Sequence, residues 1–545
     1  MSNKNNAFVK QAAILASAGI IARILGFAYR VPLMRIIGDR GNGIGGAGHM
    51  LFLLFLIMSS AGLPVAISKM VSERVARGRP DEAHRVFRVS LVVATLSGLF
   101  FSLVLFFGAD LIVRIINQPE SYYTLLALTP TVFLVSIMAV FRGYFQGLQN
   151  ASPSAMSQLI EQILSAIFSI LLAWLMMRIV TPFEYGGEPV IFGAAGAQAG
   201  KSVGALAGLA FILGYYLLKR NNIMKGISFY SVGSLETKQP TLSITRELLG
   251  IAIPLILGTA IFSISNIIDV AMVRPRLEAS GIIDPAYVEI LYGQLVGKYV
   301  TITNVPVAIS TAIAIAAIPS IAASIVKREQ QAVNEKINTS IRLAMLITIP
   351  AAVGIGVLAN PILLLLFPTQ PDGGALLAVG SVSIIFLALY QILAGMLQAV
   401  GKLHIPVMAA FIGASLKIPL NFILIANPNI RIVGAVISTI VCYSVASAIC
   451  WHFFTKHVKL KIDLVNTFLK PAAAALAMGV GCFVIYHVTY FITRHNAPAT
   501  ILAVVVGLGL YMVFLLLIRG LRKNDVQLLP KGHKLADVLE RRGWL

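Results

Sequence analysis

Charged side chains are scarce in this sequence. Only 12% of the 545 residues are Asp, Glu, Lys or Arg, whereas 58% are hydrophobic, and the mean hydropathy is +0.86. A soluble globular protein does not require so much apolar surface, so the composition excludes that class. The apolar residues form repeated runs of roughly 20 residues or more, which are typical of membrane-spanning helices and too long for the strands of a β-barrel.

Residues suited to catalysis or metal binding are also few. The three cysteines, Cys442, Cys450 and Cys482, lie inside apolar runs without metal-ligand spacing, so we interpret them as packing residues. A Gly-rich Walker motif is absent, which argues against direct use of ATP. No cluster of carboxylates or histidines suggests a membrane glycosyl- or phosphotransferase. We therefore expect neither an enzyme nor a bound cofactor or metal, although coupling to sodium, protons or the membrane potential stays open.

Acidic residues number only 22 against 43 Lys and Arg, which gives a net charge of +21. The basic residues cluster in short loops between apolar runs, which indicates the lipid bilayer and not nucleic acid as the partner. The face that carries both termini has roughly 29 of these cations, and the other face has roughly 7. This distribution predicts a multi-pass protein of the cell membrane with both termini in the cytoplasm. The short polar N-terminus predicts a retained first span and not a cleaved signal peptide.

Hydropathy predicts about 14 transmembrane helices. The predicted spans lie near residues 11–37, 43–68, 89–115, 121–147, 155–180, 190–218, 248–273, 288–324, 341–367, 375–401, 405–426, 432–455, 467–491 and 497–518. We divide them into an N-lobe (1–218), a cytoplasmic linker (219–247), a C-lobe (248–458), two extra spans (459–520) and a cytoplasmic tail (521–545).

The two lobes contain similar segments. "GLPVAISKMVSERVARGRPDEAHRVFR" (62–88) parallels "AIPSIAASIVKREQQAVNEKINTSIR" (317–342), and each has a basic amphipathic stretch expected at the membrane surface. Gly143 and Gln146 match Gly395 and Gln398 at one offset. These pairs predict a duplication in which both six-helix lobes start on the cytoplasmic side, a parallel repeat that suits rocking around a central cavity.

We single out eight charged residues inside predicted spans as candidates, since a charge near the bilayer centre costs at least about 2.5–3.5 kcal/mol. They are Arg23, Arg30, Arg142, Glu161, Lys201, Asp269, Lys298 and Lys417. Six of these residues are cations and two are anions, so ion pairing can neutralise at most two of the six cations. The surplus of positive charge favours an anionic substrate.

Arg23 and Arg30 are the most specific candidates. At seven residues apart they lie within about 20° on one helix face and about 10.5 Å apart along the axis. Gly19 and Gly26 thin the helix beside them. Arginine stays protonated in an apolar site and forms forked bonds to phosphate oxygens. Arg23 and Arg30 could therefore form one stripe that faces a cavity and contacts a phosphate. The alternative is that each forms an interhelical salt bridge.

The other cations have structural alternatives. Arg142 lies near the end of its span, where it is more typical of an interfacial anchor than of a ligand. Lys201 is a candidate ligand or a partner of Glu161. Lys298 lies early in its span, where water could reach it, and Arg40 is expected at the interface.

"RILGFAYRVPLMRIIG", "GLPVAISKMVSERVARG" and "FRGYFQGLQN" resemble the MOP exporter superfamily. Within it they resemble the polysaccharide-exporter branch, which contains the MurJ-type lipid II flippases and stage V sporulation protein B. The resemblance implies an all-α fold of two six-helix lobes plus two C-terminal helices around a V-shaped central cavity. It implies transport of an undecaprenyl-pyrophosphate-linked saccharide to the outer leaflet, with cell-wall synthesis proteins as candidate partners.

The resemblance also implies substrate-binding positions. Arg23 matches an arginine before the "LGFA" core, but Tyr29 stands at the expected second position and Arg30 follows it. His49 is the titratable group in the second span, where the family typically has arginine, and Lys298 lies near another arginine position. With Lys201, these residues form the predicted substrate site.

Coupling residues follow from the same resemblance. Sodium-binding members use an acid in span seven with polar groups in spans eleven and twelve, positions that correspond to Asp269, Asn421 and Thr439. Lys417 lies one turn before Asn421 on the same face. We hypothesise that Lys417 pairs with Asp269 in place of sodium, and we assign Glu161 to gating or coupling.

The leading prediction is a flippase for a lipid-linked saccharide, most directly lipid II. The alternative is a multidrug exporter of the same superfamily coupled to sodium or protons, which would favour acidic cavity residues. A non-transporting scaffold is a third class.

The Lys417 hypothesis predicts that transport by the purified protein does not depend on sodium, because an internal ammonium occupies the cation position. Transport into vesicles at fixed membrane potential, measured in sodium and in potassium buffers, should give equal rates. A steep rise of the rate with sodium would contradict the hypothesis.

Overall fold

The structure, a computed structural model, describes residues 2–180, 188–231, 239–326, 329–402, 404–458 and 463–521. These residues are almost entirely helical and contain no strand. The helices are α1 (Ser2–Ser60), α2 (Leu63–Ala76), α3 (Pro80–Ile115), α4 (Tyr122–Gly147), α5 (Ser152–Ile179), α6 (Pro189–Ser231), α7 (Thr241–Ala279), α8 (Pro285–Gly293), α9 (Val300–Val326), α10 (Gln330–Val357), α11 (Ala359–Leu366), α12 (Gly374–Gly380), α13 (Ser383–Ala399), α14 (His404–Leu424), α15 (Val433–Val458), α16 (Lys470–Thr493) and α17 (Asn496–Leu517).

Ten helical segments of these described ranges are long and apolar enough to cross a membrane. The pair α12 and α13, bent by 43°, makes eleven if it is counted as one span. The predicted all-α class is confirmed, whereas the number of 14 stays a prediction. Part of the difference arises because Ser17–Ala76 counts as one segment, although it contains most of the first predicted span and all of the second.

A kink at Gly38 divides α1 into two helical segments. The backbone of Gly38 has φ 67° and ψ −177°, a combination that residues with a Cβ avoid. The kink lies between the predicted spans at 11–37 and 43–68. Arg23 and Arg30 therefore precede the change of direction, and His49 follows it.

The structure adds detail to two predicted connections. The basic segment that follows the second predicted span is not one continuous helix, because α2 ends at Ala76, Gly78 has φ 74° and Pro80 opens α3. The linker predicted at 219–247 is helical at both ends, since α6 continues to Ser231 and α7 begins at Thr241. Its central residues 232–238 lie outside the described part of the chain.

The chain forms two compact units. The first comprises Met1–Pro275 and Asp284–Gly293, and the second comprises Arg276–Ile283 and Gln294–Leu545. The lobe boundaries given by the sequence stay a prediction.

The core of the first unit is a cluster of buried side chains from α2, α3, α4, α6 and α7. The "GYFQG" motif of α4 lets this helix approach α2 closely. A Cβ on Gly147 would lie only 2.7 Å from the Cβ of Val71 in α2, so a larger residue would clash. Small residues one turn apart on α4, Gly143 and Gly147, permit this contact.

In the second unit, the last two helices pack against α10. The Tyr511 hydroxyl of α17 donates to the carbonyl of Leu346 at 3.0 Å, and both groups are buried. Nη2 of Arg342 donates to the carbonyl of Gly520, just after α17, also at 3.0 Å. The two C-terminal helices are therefore integral to this unit.

The second pair of similar segments ends its two helices in the same way. After α4, the amide of Asn150 bonds the carbonyl of Phe145 at 2.9 Å, and Gln149 has φ 57°. After α13, the amide of Lys402 bonds the carbonyl of Leu397 at 2.8 Å, and Gly401 has φ 79°. Both are the helix-ending motif that places a left-handed residue after the last turn. The matched segments thus share local structure as well as sequence.

The contact of α4 with α2 predicts that Gly143→Ala destabilises the protein. The new Cβ would lie 2.8 Å from the carbonyl oxygen of Pro64 and 2.9 Å from its Cα, and backbone atoms cannot easily move away. We expect a loss of about 1–3 kcal/mol in the free energy of unfolding, which thermal unfolding in detergent would register as a lower midpoint.

Gly214→Ala in α6 is the matched control, because no atom lies within 4 Å of its added Cβ. Alanine is the better helix former, so the midpoint should stay or rise. Equal midpoints for the two variants would contradict the close contact.

Candidate functional site

Arg23 and Arg30 lie on an open face of the first segment of α1. By helical geometry, Gly19, Arg23, Gly26 and Arg30 fall within about 60° of one another. A Cβ built on Gly19 or on Gly26 would meet no atom within 4 Å. Arg23 is exposed and Arg30 is partly exposed. This face therefore has room for a ligand beside both guanidinium groups.

His49 and Lys201 come together from different helices. Nζ of Lys201 in α6 lies 3.2 Å from Nδ1 of His49 in the second segment of α1. The charge of Arg30 acts on both side chains, and the charge of Lys201 acts on His49. Both side chains are partly exposed. Three of the predicted substrate-binding residues thus form one basic cluster, which we call the Arg30–His49–Lys201 cluster.

The packing of α6 on α1 sets this contact. Nε2 of Gln198 donates to the carbonyl of Gly45 at 3.1 Å, about one turn before the contact of Lys201 with His49. A Cβ on Gly45 would lie 3.2 Å from that nitrogen, a tight contact that glycine avoids. The Oε1 atom of Gln198 is buried and has no hydrogen-bond partner in the described residues. A buried amide oxygen without a partner is costly, which is typical of functional regions.

Glu161 pairs with Arg142. Nη2 of Arg142 lies 2.7 Å from Oε2 of Glu161, and its Nε donates to Oγ of Ser157 at 2.9 Å. Both charged side chains are largely buried. The alternative in which Glu161 pairs with Lys201 is therefore not the arrangement found. Arg142 has a structural role as the partner of Glu161. Glu161 was the one acid among the charged candidates of the first lobe, and this ion pair engages it.

Lys298 is almost completely buried, at 1% exposure, in a π-helical turn between α8 and α9. Its Nζ donates to the carbonyls of Gln370 at 2.6 Å and Asp372 at 2.9 Å. It also lies 5.6 Å from the centre of the Phe367 ring. The expectation of a water-exposed ammonium is wrong for this structure, because loop carbonyls replace water around it. Its contact with a substrate stays a prediction.

The predicted coupling residues lie in both units. Asp269 belongs to α7 of the first unit, and its charge acts on the buried Tyr292. Lys417 and Asn421 are buried in α14 of the second unit. Oδ1 of Asn421 accepts a hydrogen bond from Ser438, whereas Thr439 bonds the carbonyl of Ala435 in its own helix at 2.7 Å. Ser438 therefore contacts Asn421, whereas the coupling role of Thr439 and the pairing of Asp269 with Lys417 stay predictions.

Sequence reasoning missed a second set of ion pairs in the first unit. Nε of Arg40 lies 2.6 Å from Oε2 of Glu289, whose side chain is 3% exposed, and Arg40 also pairs with Glu188. Arg274 donates to both carboxylate oxygens of Glu120, at 2.6 and 3.3 Å. The acid within the apolar "YVEILYG" run was the available signal. These contacts join three carboxylates to two arginines, because Glu188 and Glu289 share Arg40.

The sequence profile of the family described as polysaccharide biosynthesis protein matches residues 8–324. The chain belongs to this family. A second profile, MatE, matches residues 296–423. The resemblance to the MOP superfamily inferred from the sequence motifs is thus confirmed.

Curated relatives match along nearly the whole chain. Stage V sporulation protein B of Bacillus subtilis (strain 168) is 29% identical over 529 residues, which cover 96% of this chain and 98% of that protein. Lipid II flippase MurJ of the same organism is 24% identical over 526 residues, which cover 92% and 93%.

Solved structures show the same fold. Lipid II flippase MurJ in an inward closed conformation superposes with a TM-score of 0.65 at 16% identity, covering 92% of this chain and 98% of that one. An inward-facing multidrug resistance MATE family transporter of the MOP superfamily gives 0.64 at 14% identity, covering 82% and 98%. Together with the apolar helices, these similarities identify a multi-pass membrane protein of a transporter fold.

The Arg142–Glu161 pair generates a prediction about stability. Removing either partner leaves a largely buried charge without its counter-ion, so Arg142→Ala and Glu161→Ala should each destabilise the protein. The double variant should be less destabilised than the sum of the two single variants, with a coupling of about 1–3 kcal/mol.

Thermal or denaturant unfolding of the four proteins in one detergent measures this coupling. The exposed pair Arg114–Asp110, at 3.0 Å, is the control and should couple by less than about 1 kcal/mol. Strict additivity at Arg142 and Glu161 would contradict the proposed ion pair.

Proposed function

We propose that this protein is a flippase that moves an undecaprenyl-pyrophosphate-linked saccharide, most directly the peptidoglycan precursor lipid II, from the inner to the outer leaflet. The observation that carries the proposal is the Arg30–His49–Lys201 cluster. Three basic side chains from α1 and α6 act on one another electrostatically and remain partly exposed. Such a cluster favours an anion with several oxygens.

The chemistry of a pyrophosphate fits this cluster. Arg30 supplies a planar fork of N–H donors, and Lys201 supplies a compact ammonium. His49 adds a ring nitrogen that donates when it carries the proton. Bringing the charges of Arg30 and Lys201 together without an anion costs Coulomb energy, and a pyrophosphate between them would recover it. Arg23, exposed about two turns away on the same face, would guide the headgroup towards the cluster.

Family membership supports the same class of substrate. The matching family is named for polysaccharide biosynthesis, and one relative along the chain is a lipid II flippase. A lipid-linked saccharide combines a sugar, an anionic linker and an apolar chain. A membrane transporter with basic residues on an open helix face suits such a molecule, because the apolar chain can stay in the bilayer while the headgroup crosses.

The proposal includes the finer architecture expected from the sequence. Fourteen spans would form two six-helix lobes and two added helices, with both termini in the cytoplasm. Alternating access would expose a central cavity first to the inner and then to the outer leaflet. Glu161, Asp269, Lys417 and Asn421 keep their proposed parts in gating or coupling.

A multidrug exporter is the second candidate function. The MatE match at 296–423 and the fold of the MATE transporters favour it. Exporters of cationic drugs require acidic groups in the cavity, whereas the cluster in the first unit is basic. The flippase is therefore the stronger proposal.

Depletion of the protein should make the lipid-linked precursor accumulate in the inner leaflet, because its headgroup cannot cross the bilayer unaided. Leaflet-specific labelling of the precursor measures this distribution. Arg30→Ala combined with Lys201→Ala should reduce transport by about tenfold or more at matched expression, since two charged contacts to the pyrophosphate are lost. Arg23→Ala should reduce it as well.

Arg114→Ala is the matched control, because Arg114 is exposed in the same unit and pairs only across one turn with Asp110. It should transport normally. An unchanged leaflet distribution with altered drug tolerance would favour the exporter instead. Full complementation by the Arg30 and Lys201 double variant would contradict the proposal that the cluster binds the substrate.

A further inference from the structure

Two exposed arginines of the first unit lie at the same end of neighbouring helices. Arg88 is near the beginning of α3, and Arg220 is in the later part of α6. The charges of both act on His84 and on Tyr216, so the two guanidinium groups lie close to the same place. The helices contact there, since the rings of Phe87 and Tyr216 are 5.2 Å apart.

This pair of cations has no acidic counterpart in the described residues. Neither Arg88 nor Arg220 forms an ion pair there, whereas the adjacent Arg85 bonds the hydroxyl of Thr241 and Arg79 pairs with Glu82. Two like charges held close together repel each other. An anion placed between them would turn that repulsion into two charge-assisted hydrogen bonds.

Each arginine stands at the end of an exposed apolar stripe. On α3, the side chains Val92, Leu96, Leu99 and Leu103 are exposed and fall within about 80° of Arg88. On α6, the side chains Leu206, Leu213 and Leu217 are exposed and fall within about 60° of Arg220. The two helices run in opposite directions along the predicted membrane normal, so both stripes extend from the arginines towards the bilayer centre.

We propose that Arg88 and Arg220 bind the phosphate of an anionic phospholipid, whose acyl chains lie along the stripes of α3 and α6. The arginines sit at the depth of the headgroups, and the exposed leucines sit at the depth of the chains. The leaflet is the one on the predicted cytoplasmic side. Basic residues between membrane helices on that side are a recognised means of holding anionic headgroups. This lipid is a bound component of the protein and not its transported substrate.

Native mass spectrometry of the full chain in detergent, titrated with phosphatidylglycerol or phosphatidylcholine, tests the proposal. Arg88→Gln combined with Arg220→Gln should weaken phosphatidylglycerol binding by about tenfold or more and leave phosphatidylcholine binding unchanged. Arg88→Lys combined with Arg220→Lys should keep most of the affinity, because the charge remains. The readout is independent of transport, so it stands or falls separately from the proposed flippase activity.

Arg77→Gln combined with Arg246→Gln is the control, since both residues are exposed in the same unit and the change in net charge is equal. Its phosphatidylglycerol affinity should stay within about twofold of the unaltered protein. Equal weakening by both double variants would overturn the proposal, as would full retention by the Arg88 and Arg220 variant. Displacement of the lipid by an equal concentration of inorganic phosphate would also overturn it, because the stripes would then contribute nothing. Unchanged thermal unfolding would show that the variants are folded.

Discussion

The cost of placing charge in an apolar environment is the constraint on which the rest of this structure depends. A chain with so few charged residues retains cations inside helices that are otherwise suited to lipid. Each must recover its lost hydration from some other group. The structure shows several ways of doing this: Arg142 uses Glu161, Lys298 uses loop carbonyls, and Arg40 uses two glutamates.

The Arg30–His49–Lys201 cluster stands apart from these solutions. The charges that act on His49 and Lys201 are positive, and the side chains remain partly exposed. Structural cations are placed beside carboxylates or carbonyls, whereas a cluster of this kind is suited to an anion from outside the protein. A glycine-lined face of α1 with room beside the guanidinium groups supports the same interpretation.

Local patterns predicted the all-helical class, whereas the number of spans stays a prediction. Runs of apolar residues indicated the helices, and the similar glycine and glutamine motifs led to two helix ends with the same cap. Spacing alone placed Arg23 and Arg30 on one face, and family resemblance added His49. Contacts between residues far apart in the sequence were harder to predict. Nothing near Lys298 in sequence indicates that its ammonium bonds the carbonyls of Gln370 and Asp372. Ser438 and Thr439 are adjacent in sequence, and only helix packing determines that Ser438 contacts Asn421. The partner of Glu161 likewise depended on how α4 packs on α5.

The central claim is that this basic cluster recognises a pyrophosphate. The most direct measurement compares the affinity of the purified full-length protein for undecaprenyl pyrophosphate and for uncharged undecaprenol. We expect the pyrophosphate to bind at least about tenfold more tightly, and replacement of Arg30 and Lys201 with methionine to abolish the difference. Equal affinities for the two lipids, or a preference that survives the double replacement, would contradict it.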